Sequence, residues 1–251
     1  MPASAAPAPG PAEPGRLLVF GARKLGGAVA AHFARQGWAV AGVARSAETV
    51  AAFEAAVPGA HGIRAAAGEP GEAERAFLAA RGALGGPVDL VVNAVSPSLR
   101  GAPYGTHVAD ADLSAIDPYV KDLLPAIFDV VHVAAAYLGA EGHGTLVQVT
   151  GGSSRRGMPG RGPWAAGAFA TRGLLQAVAQ ELREKGVHAA LLVVDAVIES
   201  EKTAAALAGK PDDASTTGED VAAAVAFLHA QSRRGWTHEL TLTPAGDRWV
   251  P

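Results

Sequence analysis

Residues 16–27 read RLLVFGARKLGG, and this stretch decides the fold. Four apolar residues, Leu17 to Phe20, run straight into Gly21, and the pair Gly26 and Gly27 opens an apolar-periodic segment. The unbroken run predicts a strand buried on both faces, because it leaves no face for water. The segment over roughly 24–36 predicts the helix that follows. Strand, glycine turn and helix start together make a place for a phosphate. Glycine admits close approach, and the free N–H groups of the first helical turn attract negative charge. The turn alone is also what a tight connection with no ligand looks like.

Outward from this unit the same alternation repeats. Trp38–Ala44, Gly62–Ala66, Val88–Ala94, Leu146–Thr150, Ala189–Asp195 and Glu239–Thr243 predict six further strands. Helices are expected over about 47–56, 71–83, 110–138, 164–185 and 220–230. Strands alternating with helices imply parallel pairing and right-handed crossovers. The expected fold is therefore α/β, a single-domain Rossmann-like doubly wound parallel sheet of about seven strands spanning 16–251. Residues 1–15, MPASAAPAPGPAEPG, are Pro/Ala-rich and lack the basic start and apolar run of a secretory signal. They are expected to be a disordered tail.

Composition narrows the function. The chain has 251 residues and a formal net charge of −3, so neither nucleic acid nor an anionic membrane is expected as a partner. It has no cysteine, which excludes disulfides, thiolate metal sites and a cysteine nucleophile and fits a cytoplasmic protein. Its eight histidines show no metal-ligand spacing, and no metal site is expected. No apolar stretch reads as long and uninterrupted enough to span a bilayer. The remaining expectation is a small-molecule substrate.

From about residue 16 to 246 the chain resembles a classical short-chain dehydrogenase/reductase. That family's loop is G-x-x-x-G-x-G. Here Gly21 and Gly27 match the outer glycines, Leu25 replaces the middle one, and Gly26 lies beside it. Asn93-Ala94-Val95 is similar to the family's N-A-G after the fourth strand. Asp220-Val221-Ala222 and the closing TLTPAG also match. The resemblance implies a dinucleotide held by Gly21, Gly27 and Asn93. Arg45 follows the second strand where NAD-preferring relatives carry an Asp, and Arg23 and Lys24 lie in the loop where NADP-preferring members carry a basic residue. These three favour NADP(H) if a cofactor binds, since arginine pairs well with a 2′-phosphate. Read without the resemblance, they are solvated surface charges.

The resemblance also exposes what is missing. Residues 164–182, WAAGAFATRGLLQAVAQEL, look like the active-site helix, which in the family opens with a Tyr and carries a Lys four residues on. Those places hold Trp164 and Ala168, and the usual serine place holds Gly151. The family's Tyr moves the substrate proton, with the Lys lowering its pKa. An indole N–H does not ionise usefully in water, so Trp164 cannot take that role. The candidate catalytic positions are therefore Trp164 itself, Ser153 after the fifth strand, Asp195 after the sixth, and Asp122 near the family's Asn place on the long helix. Tyr119, Lys121, Ser154, Arg155, Arg156 and Glu199 are further polar groups in reach. Each of these also has a purely structural reading as a turn, cap or surface charge.

Three functions follow as expectations. The first is an atypical NADP(H)-binding oxidoreductase that reduces a conjugated small molecule without the Tyr/Lys pair. The second is a non-redox enzyme performing cyclisation, dehydration or rearrangement on this scaffold. The third is a catalytically inactive relative, a pseudoenzyme. Relatives associate through the long helix and the 164–185 helix, so the resemblance implies a homodimer or homotetramer.

Overall fold

A computed structural model describes residues 14–97 and 105–247. All but the last two residues of the expected 1–15 tail lie outside the described residues. Seven strands form one sheet: β1 Arg16–Phe20, β2 Ala39–Ala44, β3 His61–Arg64, β4 Leu90–Asn93, β5 Thr145–Gly151, β6 His188–Val194 and β7 Glu239–Leu242. The order is β3-β2-β1-β4-β5-β6-β7, and every pairing is parallel. The strand order reverses between β1 and β4, which places a cleft at their carboxyl ends.

Helices cover both faces: α1 Leu25–Arg35, α2 Ala47–Ala56, α3 Glu72–Ala83, α4 Leu124–Glu141, α5 Gly162–Arg183, the short α6 Ala204–Leu207 and α7 Gly218–His229. Strand residues alternate between two cores. Leu18, Phe20, Val91, Leu146 and Leu191 face a cluster with α3, α4 and α5. Leu17, Val19, Leu90, Val92 and Leu192 face a second cluster with α1, α2 and α7. The inner strands β1, β4 and β6 are buried on both sides, which is why their sequences are almost wholly apolar and not alternating, whereas the edge strands β3 and β7 are less buried.

The long helix differs from its expected form over 110–138. The chain first makes two tight turns, Val108–Asp110 and Leu113–Ile116, then a wide π-type segment, Pro118–Leu123, and only then α4. Pro118 starts this segment, where a missing N–H costs nothing, but Pro125 lies inside the run and has no N–H to donate, so the regular i to i−4 ladder is interrupted there. The helical run Leu113–Glu141 also has the length of a membrane span, and an 18-residue window within it reaches a mean hydropathy of 1.7. This differs from the expectation that no stretch would. Its apolarity serves the domain interior: Ile127, Val130, Val131, Ala134 and Leu138 are buried in the core beneath the sheet.

Two histidines at the amino-terminal edge of the sheet carry a pH dependence. His188 is 3% exposed, its Nε2 lies 2.9 Å from the Thr237 carbonyl, and its ring stacks on Trp236. Burial holds its pKa below the ordinary imidazole value, and burial does the same to His229, which contacts Thr145 Oγ1 at 3.0 Å. An unfolded imidazole titrates near about 6.5. Below that pH the unfolded chain takes up protons that the native state refuses. The stabilisation is complete above about pH 6.5 and is lost as pH falls toward and through the lowered native values. Urea titration at about pH 5 should give a lower midpoint than at about pH 7.5, and His188→Gln should flatten that difference.

Candidate active site

The turn after β1 is set by backbone contacts. Gly21 has φ +84°, and its N–H and that of Ala22 both donate to the Val43 carbonyl at 3.0 Å. A Cβ on Gly21 would lie 2.6 Å from the Ala94 carbonyl carbon and oxygen, so the turn is pressed directly on the chain leaving β4. Helix α1 then begins with no side-chain cap and no acidic residue in its first turn. Its free N–H groups face the cleft mouth with their partial positive charge. Gly26 is buried, and a Cβ on it would overlap the Gly21 carbonyl oxygen and crowd Val19. At Gly27 a Cβ would meet only the Ala22 oxygen, at 3.2 Å. The indispensable small residue of the helix start is thus Gly26, which sequence reading passed over in favour of Gly27. Leu25 is half-buried and packs against the apolar cluster under α1.

Arg23, Lys24 and Arg45 are exposed, and none forms an ion pair among the described residues. Arg45 stands just past β2, and its carbonyl accepts from Arg64 Nε at 3.3 Å. Two guanidinium-bearing residues therefore meet at the end of β2. Asn93 behaves differently. It is fully buried at the end of β4, donates from Nδ2 to Gln148 Oε1 at 2.8 Å, and accepts from the Val95 N–H at 3.2 Å. Gln148 in turn donates to the Val149 carbonyl at 2.8 Å. The Asn93 side chain ties β4 to β5.

At the other end, β5 and β6 deliver the second group of polar residues. Ser153 and Ser154 are buried in the turn after β5, and Ser154 Oγ donates to the Gly151 carbonyl at 2.9 Å. Asp195, just after β6, lies over Gly152 so closely that a Cβ on Gly152 would overlap its carboxylate. The same carboxylate pairs with Arg156 at 3.2 Å. Arg155 donates to Thr241 Oγ1 at 3.2 Å, and Arg172 holds Glu239 through two hydrogen bonds of 2.8 Å. These arginines lock the ends of β5, β6 and β7 together.

Trp164 opens α5 with its indole edge 3.8 Å from where a Cβ on Gly151 would stand. Tyr119 from the π-type segment lies nearly parallel to the indole, with centroids 6.2 Å apart and a 10° angle. The Arg161 guanidinium carbon sits 5.5 Å from the centre of the indole ring. Tyr119 is buried, whereas Asp122, three residues on, is exposed and Lys121 pairs with Asp117 at 2.8 Å. The structure thus brings Ser153, Trp164 and Asp195 to one end of the cleft. It sets Asp122 on the surface and puts Tyr119 against Trp164 instead. Only the face of the π-type turn decides between these two residues, and no spacing in the sequence reveals it.

The short chain dehydrogenase family model matches residues 16–207. The chain belongs to the short-chain dehydrogenase family. No curated protein matches it in sequence. Among solved structures it is similar to a short-chain dehydrogenase from Rhodopseudomonas palustris, with 22% identity over 91% of this chain and 98% of that one and a TM-score of 0.73. It is also similar to an alcohol dehydrogenase from the archaeon Thermococcus sibiricus complexed with 5-hydroxy-NADP, with 21% identity over 95% and 100% and a TM-score of 0.77. A third is a gluconate 5-dehydrogenase from Burkholderia cenocepacia in complex with NADP and tartrate, with 19% identity over 91% and 93% and a TM-score of 0.76. At these identities the likeness establishes the fold.

The two ends of this short-chain dehydrogenase suit a phosphorylated dinucleotide unequally. The adenosine end fits, with an uncapped helix start and exposed cations at Arg23, Lys24 and Arg45. The end formed by β5, β6 and α5 offers different groups: a buried methyl at Ala168 and the Asp195 carboxylate, paired with Arg156.

Proposed function

We propose that this short-chain dehydrogenase is an atypical NADP(H)-binding oxidoreductase that acts on a small molecule, a conjugated carbonyl compound, without the Tyr/Lys pair. The observation that carries the reading is the presence of exposed Arg23 and Lys24 at the uncapped start of α1 and exposed Arg45 just past the neighbouring strand β2, with no carboxylate paired to any of them among the described residues. Arginine at the end of β2 gives the 2′-phosphate a charge-assisted partner and gives the unphosphorylated ribose none. The bound dinucleotide would supply hydride. The chain's own residues hold its phosphates and close the opposite end with the aromatic pair Tyr119 and Trp164. Reduction at carbon of a conjugated system suits a site lacking a phenol–ammonium relay, because water can protonate the resulting enolate. Phe128 and Phe169 stand exposed on α4 and α5, and a homodimer or homotetramer through these helices is part of the proposal.

Calorimetric titration tests the cofactor. NADP⁺ should bind at least about tenfold more tightly than NAD⁺, and Arg45→Ala should remove most of that preference. Absence of binding by either dinucleotide in the millimolar range would end the reading. A second reading, non-redox conversion of a small molecule, is favoured by Trp164 and the Arg156–Asp195 pair at the nicotinamide end. It becomes the better one if neither dinucleotide binds.

A further inference from the structure

Beside Trp164 lies a partly open cavity of about 250 Å³ between the 105–119 segment and the turn that leads into α5. Its wall includes Tyr119 and Trp164, the near-parallel aromatic pair, together with Arg161, Asp110 and Asp112. Drug-sized ligands occupy roughly 300–1,000 Å³, so this volume suits a single ring or a short chain.

The charges on the wall are not equivalent. The Asp112 carboxylate accepts from both the N–H and the hydroxyl of Ser114, which commits it to its own turn and holds its pKa below the ordinary value. Asp110 ends a short exposed turn at the outer side. Arg161 forms no ion pair among the described residues, and its guanidinium is laid over the Trp164 ring. Stacking on an indole restricts a side chain that is otherwise costly to order and leaves the in-plane N–H groups free to hydrogen-bond. Those donors match a carboxylate in a way that a lysine would not.

We infer that Arg161 is the specificity-determining cation of this cleft, and that the cavity takes a small organic carboxylate whose flat body lies against Tyr119 and Trp164. The inference rests on reading this end of the cleft as the substrate end. It adds the substrate's chemical class and the residue that selects it. Trp164 then has a double part: it fills the place at the start of α5 and acts as the platform that aims the guanidinium.

The test uses the full chain and three probes of one shape. Benzoate, benzamide and benzamidine carry negative, neutral and positive ends on the same ring. Ligand-observed NMR titration should show benzoate binding at least about tenfold more tightly than benzamide, the smallest ratio expected of a charge-assisted hydrogen bond. Arg161→Gln, a change on an exposed residue, should bring benzoate down to the level of benzamide and leave benzamide unchanged. The inference is overturned by equal affinities for benzoate and benzamide, by tighter binding of benzamidine, by an unaltered benzoate affinity in Arg161→Gln, or by no binding of any probe at about 10 mM. NADP⁺ titration of the same samples separates the two readings. Retained NADP⁺ binding with no carboxylate preference rejects this inference alone, and loss of NADP⁺ binding rejects the cofactor assignment alone.

Discussion

Gly21→Ala should lower stability by about 3 kcal/mol or more and abolish dinucleotide binding. Two costs add at this position. A non-glycine residue held at positive φ costs roughly 1–3 kcal/mol, and Gly21 sits at +84°. Overpacking a tight contact typically costs a further 1–3 kcal/mol. The new Cβ would stand 2.6 Å from backbone atoms of Ala94, which belong to the next strand's exit and cannot rotate aside. For a chain of this size that is a fall in Tm of roughly 6–12 °C. The N–H groups of Gly21 and Ala22 would also leave the Val43 carbonyl, which opens the turn after β1. Gly27→Ala is the control. Its Cβ meets one oxygen at 3.2 Å, and its cost should stay below about 1 kcal/mol. Thermal unfolding of both variants decides the matter. A Gly21→Ala protein as stable as Gly27→Ala would show that the turn is not pressed against β4 as described.

The second large effect lies inside the sheet. Asn93→Leu should destabilise by about 2–3 kcal/mol, because it strands the Gln148 amide oxygen in a fully buried place. The loss of the Val95 N–H partner adds to that cost. Removing both partners is a different experiment. In Asn93→Leu/Gln148→Met neither side chain leaves the other unsatisfied, so the double variant should recover at least about half of the loss. Denaturant titration of the two singles and the double gives the coupling directly. Strict additivity would mean that the 2.8 Å contact carries no energy and that Asn93 serves the cleft through some other contact.

These two sites show how unevenly the sequence disclosed the cleft. The places of Gly21, Arg23, Lys24 and Arg45 were legible because the turn after β1 is a local structure: strand, turn and helix start are contiguous, and the residue following β2 lies on the neighbouring strand by topology alone. Asn93 was legible as a position but not as a role, because Gln148 lies 55 residues away and nothing nearby marks it as the partner. Gly26 was undervalued because its importance comes from a carbonyl five residues back that folds over it. Tyr119 faces inward and Asp122 outward because the helix starts with a π-type turn, and a change of one residue per turn alters which side chain faces inward.

What the sequence determined by itself is the architecture and which residues stand at the start of α5. Apolar runs of strand length, alternating with helical periods, can bury both faces only in a parallel sheet between two helical layers, and residue identity at Trp164 and Ala168 needs no coordinates. What only the tertiary structure decided is which distant groups meet: Asp195 over Gly152, and Arg161 and Tyr119 against the Trp164 ring, beside the cavity that these last three line. Burial is a property that each segment carries in its own pattern, whereas a pocket exists only where several segments arrive together.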